Sequence, residues 1–380
     1  MAEILGTCDA RYEGVRDALA GTIDRGEDVG ASACVMVDGE VVADVWGGTV
    51  DDAGSAPWQR DTIINVWSTT KTMTALSALV LADRGDLDLN APVAKYWPEF
   101  AAAGKESVEV RHLLGHTAGL SGWSAPMQPA DLYDWDLCCE RLAAQEPWWE
   151  PGTASGYHAV TQGYLVGEVV RRVTGVSLGS FFAKELAGPL GADFHIGTPP
   201  ECDDRVAFVI PPPPLEALAA GLDPESIPIR TLTNPLLDAA QSWEVAWRRA
   251  EIPAAGGHGN ARSVAAVQSV VSCGGTVNGT RLLSPAGLDK IFEVQALGTD
   301  MVLGAPLRLG IGYGISGPET PIGASDRVCY WGGWGGSLVV NDLDNRMTVA
   351  YVMNRMGEGT LGDTRGASVV AAAYGGLFGG

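Results

Sequence analysis

The chain has 380 residues, 46 % of them apolar, enough for a large buried core in one catalytic unit or in two to three average domains. Its net charge of −21 argues against nucleic acid and anionic membrane surfaces as partners. No apolar run is long enough to span a bilayer, and Met1-Ala2-Glu3-Ile4-Leu5 lacks the basic and then apolar pattern of a secretory signal, which implies a cytoplasmic protein.

In chain order, a helix is expected around Val15 to Ile23. A hairpin follows, Cys34-Val35-Met36-Val37 and Val41 to Trp46 flanking Asp38-Gly39, a strong turn signal. The run Met73 to Ala82 is apolar and free of Gly and Pro, so it reads as a buried helix. Further helical patterns recur at Val110–Leu114, Leu132–Ala144, Gly163–Val173 and Val264–Val271. The Pro-rich stretch from Ile210 through Pro235 reads as a long loop or lid. A second hairpin is expected from Gly336–Val340 and Met347–Met353 around Asp342 to Asn345, then a closing helix over Ala367–Tyr374. Strands at both ends with helices between predict one antiparallel sheet built from the two termini. In this reading 1–70 and 250–380 form the sheet-plus-helix part, and 71–249 a mainly helical part with a long loop near 205–250.

Ser68-Thr69-Thr70-Lys71 is the most telling stretch, because lysine is scarce: Lys71, Lys95, Lys105, Lys184 and Lys290 are the full set. Residues at i and i+3 share a helix face, so the Lys71 amine reaches the Ser68 hydroxyl. A serine hydroxyl needs an adjacent base, and a buried lysine can be one because desolvation lowers its pKa. Ser68 would also stand near a helix N-terminus, where the dipole favours developing negative charge. Ser-x-x-Lys alone also arises by chance, so other candidates matter. Tyr157 lies in the turn-rich Glu150 to Ala159 just before a helix; a phenol beside an ammonium has a lowered pKa and can share general-base duty. Tyr330-Trp331-Gly332-Gly333-Trp334-Gly335-Gly336-Ser337 carries more glycine than a strand tolerates, which suits close approach of a ligand to the backbone. Such a segment could supply a backbone N–H to an oxyanion, beside that of Ser68.

These three places, in this order, resemble the serine β-lactamase/penicillin-binding-protein superfamily and, more closely, the class C β-lactamase-like esterases called family VIII carboxylesterases. The resemblance extends to Leu81–Val93, Val110–Leu120, Pro151-Gly152, Gly163–Gly167, Ala255-Gly256-Gly257 and Gly312-Tyr313-Gly314, about residues 30 to 360. It implies an α/β, β-lactamase/transpeptidase-like fold, an antiparallel sheet flanked by helices plus a helical subdomain. It implies a serine carboxylesterase acting on small ester substrates through an acyl-Ser68 intermediate. Lys71 and Tyr157 would be the base system, and the N–H groups of Ser68 and Trp334 the oxyanion hole. The Lys-Thr-Gly of many β-lactamases is replaced by Trp331-Gly332-Gly333, and Tyr-x-Asn by Tyr157-His158-Ala159. Both changes remove polar recognition of penicillins and peptides while leaving the acylation groups, and they favour an apolar pocket. Trp331, Gly332, Gly333, His158 and Trp123 are the expected substrate-binding residues, with two or three tryptophans lining the site. β-Lactamase, D-aminopeptidase, amidase or acyltransferase activity on the same groups is the alternative; an inactive binding protein of this fold is a remote one.

Gly175-Val176-Ser177-Leu178-Gly179 spells the Gly-x-Ser-x-Gly nucleophile elbow, but that motif needs a preceding strand. Here the preceding residues read as a helix with Gly175 as its C-cap, and Ser177 as the N-cap of the next. His112 and His116, at i and i+4, lack an evident third metal ligand and read as structural. The seven scattered cysteines suit reduced thiols and show no metal-ligand spacing, so no metal and no cofactor are expected. Homo-oligomerisation is left open.

Overall fold

The structure is a computed structural model describing residues 2–212 and 223–379; the expected loop's residues 213–222 lie outside the described part. Nine strands form one antiparallel sheet: β1 (Ile4–Cys8), β2 (Gly30–Val37), β3 (Glu40–Gly48), β4 (Ala296–Thr299), β5 (Pro306–Leu309), β6 (Gly314–Ile315), β7 (Val328–Gly332), β8 (Leu338–Asp342) and β9 (Met347–Met353). Their order is β1-β3-β2-β9-β8-β7-β6-β5-β4, so strands from the two ends of the sequence meet at the β2–β9 pair. Asp38 and Gly39 link β2 to β3 with φ of 53° and 83°, both positive as a two-residue primed turn requires.

Side chains alternate across a strand, so a strand buried on both faces needs a cover on each. On one face the helix α8 (Ala261–Ser272) donates from Ala261 N to Ser32 Oγ at 3.2 Å, and its Ser272 Oγ lies 2.9 Å from Thr348 Oγ1. On the other, α1 (Glu13–Asp24) and α9 (Thr364–Phe378) pack on the sheet and on each other, with Gly366 against Leu338 and Tyr351. All of Gly30 to Met36 is consequently buried.

The helical part centres on α2 (Thr70–Arg84), which is buried from Thr70 to Leu81 and ends at Gly85 with φ 83°. Against it pack α5 (Thr161–Thr174) and α6 (Leu178–Phe182), while α3 (Val110–Leu114) and α4 (Trp135–Ala144) pack on α5, and α7 (Ile227–Thr233) falls within the expected loop. The helix expected over Leu132–Ala144 breaks at Asp134, whose side chain caps α4 by accepting from Leu137 N. The second hairpin begins at Leu338 rather than Gly336, because Gly335 and Gly336 take φ of 90° and 131° in a turn. The closing helix runs further both ways than Ala367–Tyr374, from an Asp363 cap.

Candidate active site

Ser68 sits in a 3-10 turn, Trp67–Thr69, that leads directly into α2. Trp67 has φ of 50°, a left-handed conformation that costs a bulky residue of order 1–3 kcal/mol and persists only where its surroundings hold it. Several contacts do so. Ile64 and Asn65 pair with Gly259 and His258, and Val66 N donates to Gly257 O at 2.9 Å. Gly257 N donates to Thr70 Oγ1 at 3.0 Å, and Ser337 Oγ donates to Val66 O at 2.8 Å. Thr69 Oγ1 lies 2.9 Å from the same Ser337 hydroxyl.

Lys71 Nζ lies 3.1 Å from Ser68 Oγ, and its other partners are the carbonyls of Ala159 at 2.6 Å and Ala254 at 2.9 Å. The side chain is buried, and desolvation holds its pKa well below that of a free lysine. Tyr157 OH stands 2.5 Å from Ser68 Oγ, with Lys71 Nζ 4.8 Å from its ring centre. Its phenol does not behave as expected beside an ammonium. Burial raises its pKa, outweighing the hydrogen bond with Ser68 that lowers it. The amine beside it is itself desolvated, so little positive charge is available to favour a phenolate.

Gly333 lies against the turn that carries Ser68. A Cβ there would stand 2.3 Å from Ser337 Oγ, 2.4 Å from Val66 O and 3.2 Å from Ser68 N. Gly333 N donates to Ser337 O at 2.7 Å, so the glycine turn and the Ser68 turn share the Ser337 anchor. Among the described residues, neither Ser68 N nor Trp334 N donates to a protein acceptor.

Above Ser68 is a cavity of about 90 Å³, with an apolar wall of Trp67, Trp334, Val160, Leu232, Pro235 and Leu237. Two of the tryptophans beside the motifs therefore line it. Leu232 belongs to α7, and the segment carrying it is tied down by Ser121 Oγ at 2.7 Å from Thr231 Oγ1 and by Asn234 Nδ2 donating to Trp123 O at 2.7 Å.

The other expected binding residues are placed differently. Trp123 is in the core, its indole N–H on Cys138 O at 3.1 Å and its ring edge-on to Tyr164; it does not line the cavity. His158 is fully buried: its Nε2 accepts from Leu120 N at 3.2 Å and its Nδ1 donates to Gly156 O at 2.6 Å. Burial pushes its pKa down to about 3, so it is a neutral brace rather than a substrate contact. Trp331 stacks on His116 at 5.5 Å between ring centres and backs the Tyr157 ring. Gly332 is pressed against the backbone of Leu361 and Gly362, where no Cβ would fit. His112 accepts from Glu109 N and His116 from His158 N, both in structural roles. Ser177 caps α6 and donates to Glu251 Oε1 at 2.6 Å, after a helix and not a strand, so the elbow reading fails on context.

The sequence pattern of the beta-lactamase family matches residues 15–374. The chain belongs to the beta-lactamase family. Within it, the chain is 38 % identical over 365 residues to the esterase/beta-lactamase LipL of Mycobacterium tuberculosis, covering 93 % of this chain and 83 % of LipL. The crystal structure of a family VIII carboxylesterase is 43 % identical, with a TM-score of 0.90 and coverage of 98 % and 99 %. A penicillin-binding protein homologue from Caulobacter crescentus is 36 % identical with a TM-score of 0.89, covering 98 % of this chain and all of that one, 100 %. The family VIII resemblance read from the motifs is thus one of sequence and fold together, and the fold is the β-lactamase/transpeptidase type.

Sequence reasoning assigned Leu232, Pro235 and Leu237 no site role, although the stretch from Ile210 through Pro235 reads as a loop or lid over a site. Leu232, Pro235 and Leu237 belong to no motif, and their only signal was membership in the loop-rich 205–250 region.

Proposed function

We propose that this chain is a serine carboxylesterase hydrolysing short-chain acyl esters through a covalent acyl-Ser68 intermediate. The observation that carries the reading is the partner set of Lys71: two carbonyl oxygens and one hydroxyl. A neutral amine has two N–H groups and one lone pair. Donating to Ala159 O and Ala254 O leaves the lone pair facing Ser68 Oγ–H, as a base requires.

Ser68 gives its proton to Lys71 as Oγ attacks the ester carbonyl, and the N–H groups of Ser68 and Trp334 hold the oxyanion. Collapse breaks the C–O bond to the alcohol, which takes its proton from the Tyr157 phenol. The resulting phenolate faces the Lys71 ammonium. A water then gives a proton to the phenolate as it attacks the acyl carbon, and the Lys71 ammonium returns its proton to Ser68 Oγ. Both groups end as they began.

An ester fits this site better than a β-lactam. Trp331 offers no cation to a carboxylate, Ala159 offers no side-chain amide, and the cavity wall is apolar and small. The same observations support a small-molecule substrate. We place the enzyme in the cytoplasm as one catalytic unit, 1–70 and 250–380 with the helical 71–249, on the strength of its seven free cysteines and a main core that draws residues from both parts. Among the described residues no helix is long and apolar enough to cross a membrane.

Hydrolysis of p-nitrophenyl acetate, butyrate and octanoate beside a chromogenic cephalosporin, by wild type and Ser68→Ala, tests the reading. Ester turnover abolished in the variant, with little cephalosporin cleavage by either, is expected. Ester turnover surviving Ser68→Ala overturns the nucleophile, and Ser177→Ala serves as the control that stays active.

A further inference from the structure

Asp300 is fully buried, and no lysine or arginine pairs with it among the described residues. Burying a carboxyl group without a cation is costly unless hydrogen bonds replace its water. Here a single oxygen carries them. Asp300 Oδ1 accepts from Tyr157 N at 3.0 Å, Val302 N at 2.9 Å and Leu303 N at 3.0 Å, while Oδ2 has no partner among the described residues. Two of these bonds fold the β4–β5 loop around the carboxyl group. The third leaves the loop, crosses 143 positions of sequence, and takes up the backbone N–H of Tyr157.

A second strut runs beside it, Met301 N donating to Ser155 O at 2.9 Å, and Asp300 N closes its own loop on Ala305 O at 2.9 Å. Across the Tyr157 segment, Gly156 N donates to His116 O at 3.0 Å. The phenol therefore reaches Ser68 from a short segment clamped on two sides, and among the described residues Asp300 is the one side chain that clamps the backbone of the residue that bears it.

We propose that Asp300 is the positioning residue for Tyr157, its Oδ1 fixing the backbone that carries the phenol to Ser68. The inference rests on the reading above, in which Tyr157 protonates the departing alcohol. Electrostatics act in the same direction. The Asp300 charge also disfavours the phenolate, a smaller effect than burial and than the opposing hydrogen bond with Ser68, and the neighbouring His116 and His158 imidazoles, both pushed down by burial, carry no charge to offset it. Lys71 is the remaining ionisable group against the ring.

The test uses leaving groups of different basicity, because a misplaced proton donor matters most when the alkoxide is poor at leaving. Asp300→Ala and Asp300→Asn are compared with wild type on ethyl butyrate and p-nitrophenyl butyrate. For Asp300→Ala, kcat on the ethyl ester is expected to fall about 100-fold and on the p-nitrophenyl ester less than about tenfold, with KM little changed. Asp300→Asn, which keeps an acceptor at Oδ1, is expected to restore part of that loss. Equal losses on both esters would show general damage and overturn the proposal. Adding Asp300→Ala to Tyr157→Phe is expected to cost nothing further on the ethyl ester. A full additional loss also overturns it. If Tyr157→Phe itself keeps wild-type turnover, the reading of the site fails first; if it is inactive while Asp300→Ala is unchanged, the positioning role alone fails. Should the Asp300 variants not fold, amide exchange in the wild type decides. Tyr157 N–H is expected to exchange as slowly as those of Val302 and Leu303, and fast exchange at Tyr157 would refute the clamp.

Discussion

Lys71 and Lys105 are both buried lysines whose amines are surrounded by backbone carbonyls, and they differ by one partner. Lys105 meets the carbonyls of Ala102 at 2.7 Å, Ala143 at 3.0 Å and Gln145, three acceptors for three N–H bonds. Lys71 meets two carbonyls and a hydroxyl. Three carbonyls take the three N–H bonds of an ammonium, whereas a hydroxyl both accepts and donates, so the second set also serves the neutral amine of the proposed mechanism. In that mechanism one lysine is a structural clip and the other the base.

In the proposed mechanism Lys71 acts as a neutral amine, and burial lowers its pKa well below 10.5, so activity is expected to rise with pH through that lowered value and to be lost below it as the amine protonates. Tyr157 must be protonated, and burial raises its pKa above 10.0, which pushes the alkaline limb out of the neutral range. The expected profile of kcat/KM is a broad plateau extending into alkaline pH. Lys71→Arg, which cannot deprotonate, is expected to lose at least about a thousandfold in kcat while still binding substrate. A Lys71→Arg enzyme with the wild-type pH profile would remove Lys71 from the mechanism.

Lys105→Met should leave chemistry untouched and weaken the fold. Three carbonyls, that of Ala143 buried and those of Ala102 and Gln145 partly so, lose their donor, for a cost of about 3 kcal/mol. Thermal unfolding should show a Tm lowered by several degrees, with kcat on p-nitrophenyl butyrate unchanged at 25 °C. An unchanged Tm would mean that water satisfies those carbonyls.

Gly333→Ala tests the close approach of the two turns. Its methyl group would collide with Val66 O and Ser337 Oγ, so the Trp334 N–H must move away from that of Ser68. Losing one oxyanion donor costs on the order of 3 kcal/mol, so kcat should fall by roughly 10²–10³. Retention of full kcat would show that the second donor lies elsewhere.

Leu232→Ala and Leu237→Ala enlarge a cavity of about 90 Å³. Each should raise kcat/KM for the octanoate relative to the acetate by about tenfold, the scale of one or two methylenes in an apolar pocket. If the chain-length profile does not move, the acyl group lies along another wall.

The local parts of this molecule were readable because they are set by short-range periodicity. Ser68 and Lys71 share a face because they are one turn apart, and Asp38-Gly39 closes a hairpin because both positions accept positive φ. What escaped detection has no side-chain signature or comes from afar. The Ala159 and Ala254 carbonyls that hold the Lys71 nitrogen would be the same for any residue type. Asp300 looks like an ordinary loop aspartate until the fold brings it to Tyr157. The direction of the Tyr157 pKa was misjudged for a related reason: burial is a property of the assembled core, and it outweighs a neighbour that is itself losing its charge. Trp123 shows the limit of proximity in sequence, since it follows the Val110–Leu120 motif and yet packs away from the site.

The pairing of β2 with β9 also sets a timetable. Gly30 N and Asn354 Oδ1, 324 residues apart, are bonded at the edge of that pair. Contacts of such sequence separation form slowly, and on a ribosome they must wait for the 324 residues that separate the partners. Ser68 is translated early, but Ser337, which ties the glycine turn to it, arrives some 270 residues later. A nascent chain thus carries Ser68 through some 270 further residues before the proposed oxyanion hole can form, so the proposed reaction has to wait for that later part of the chain.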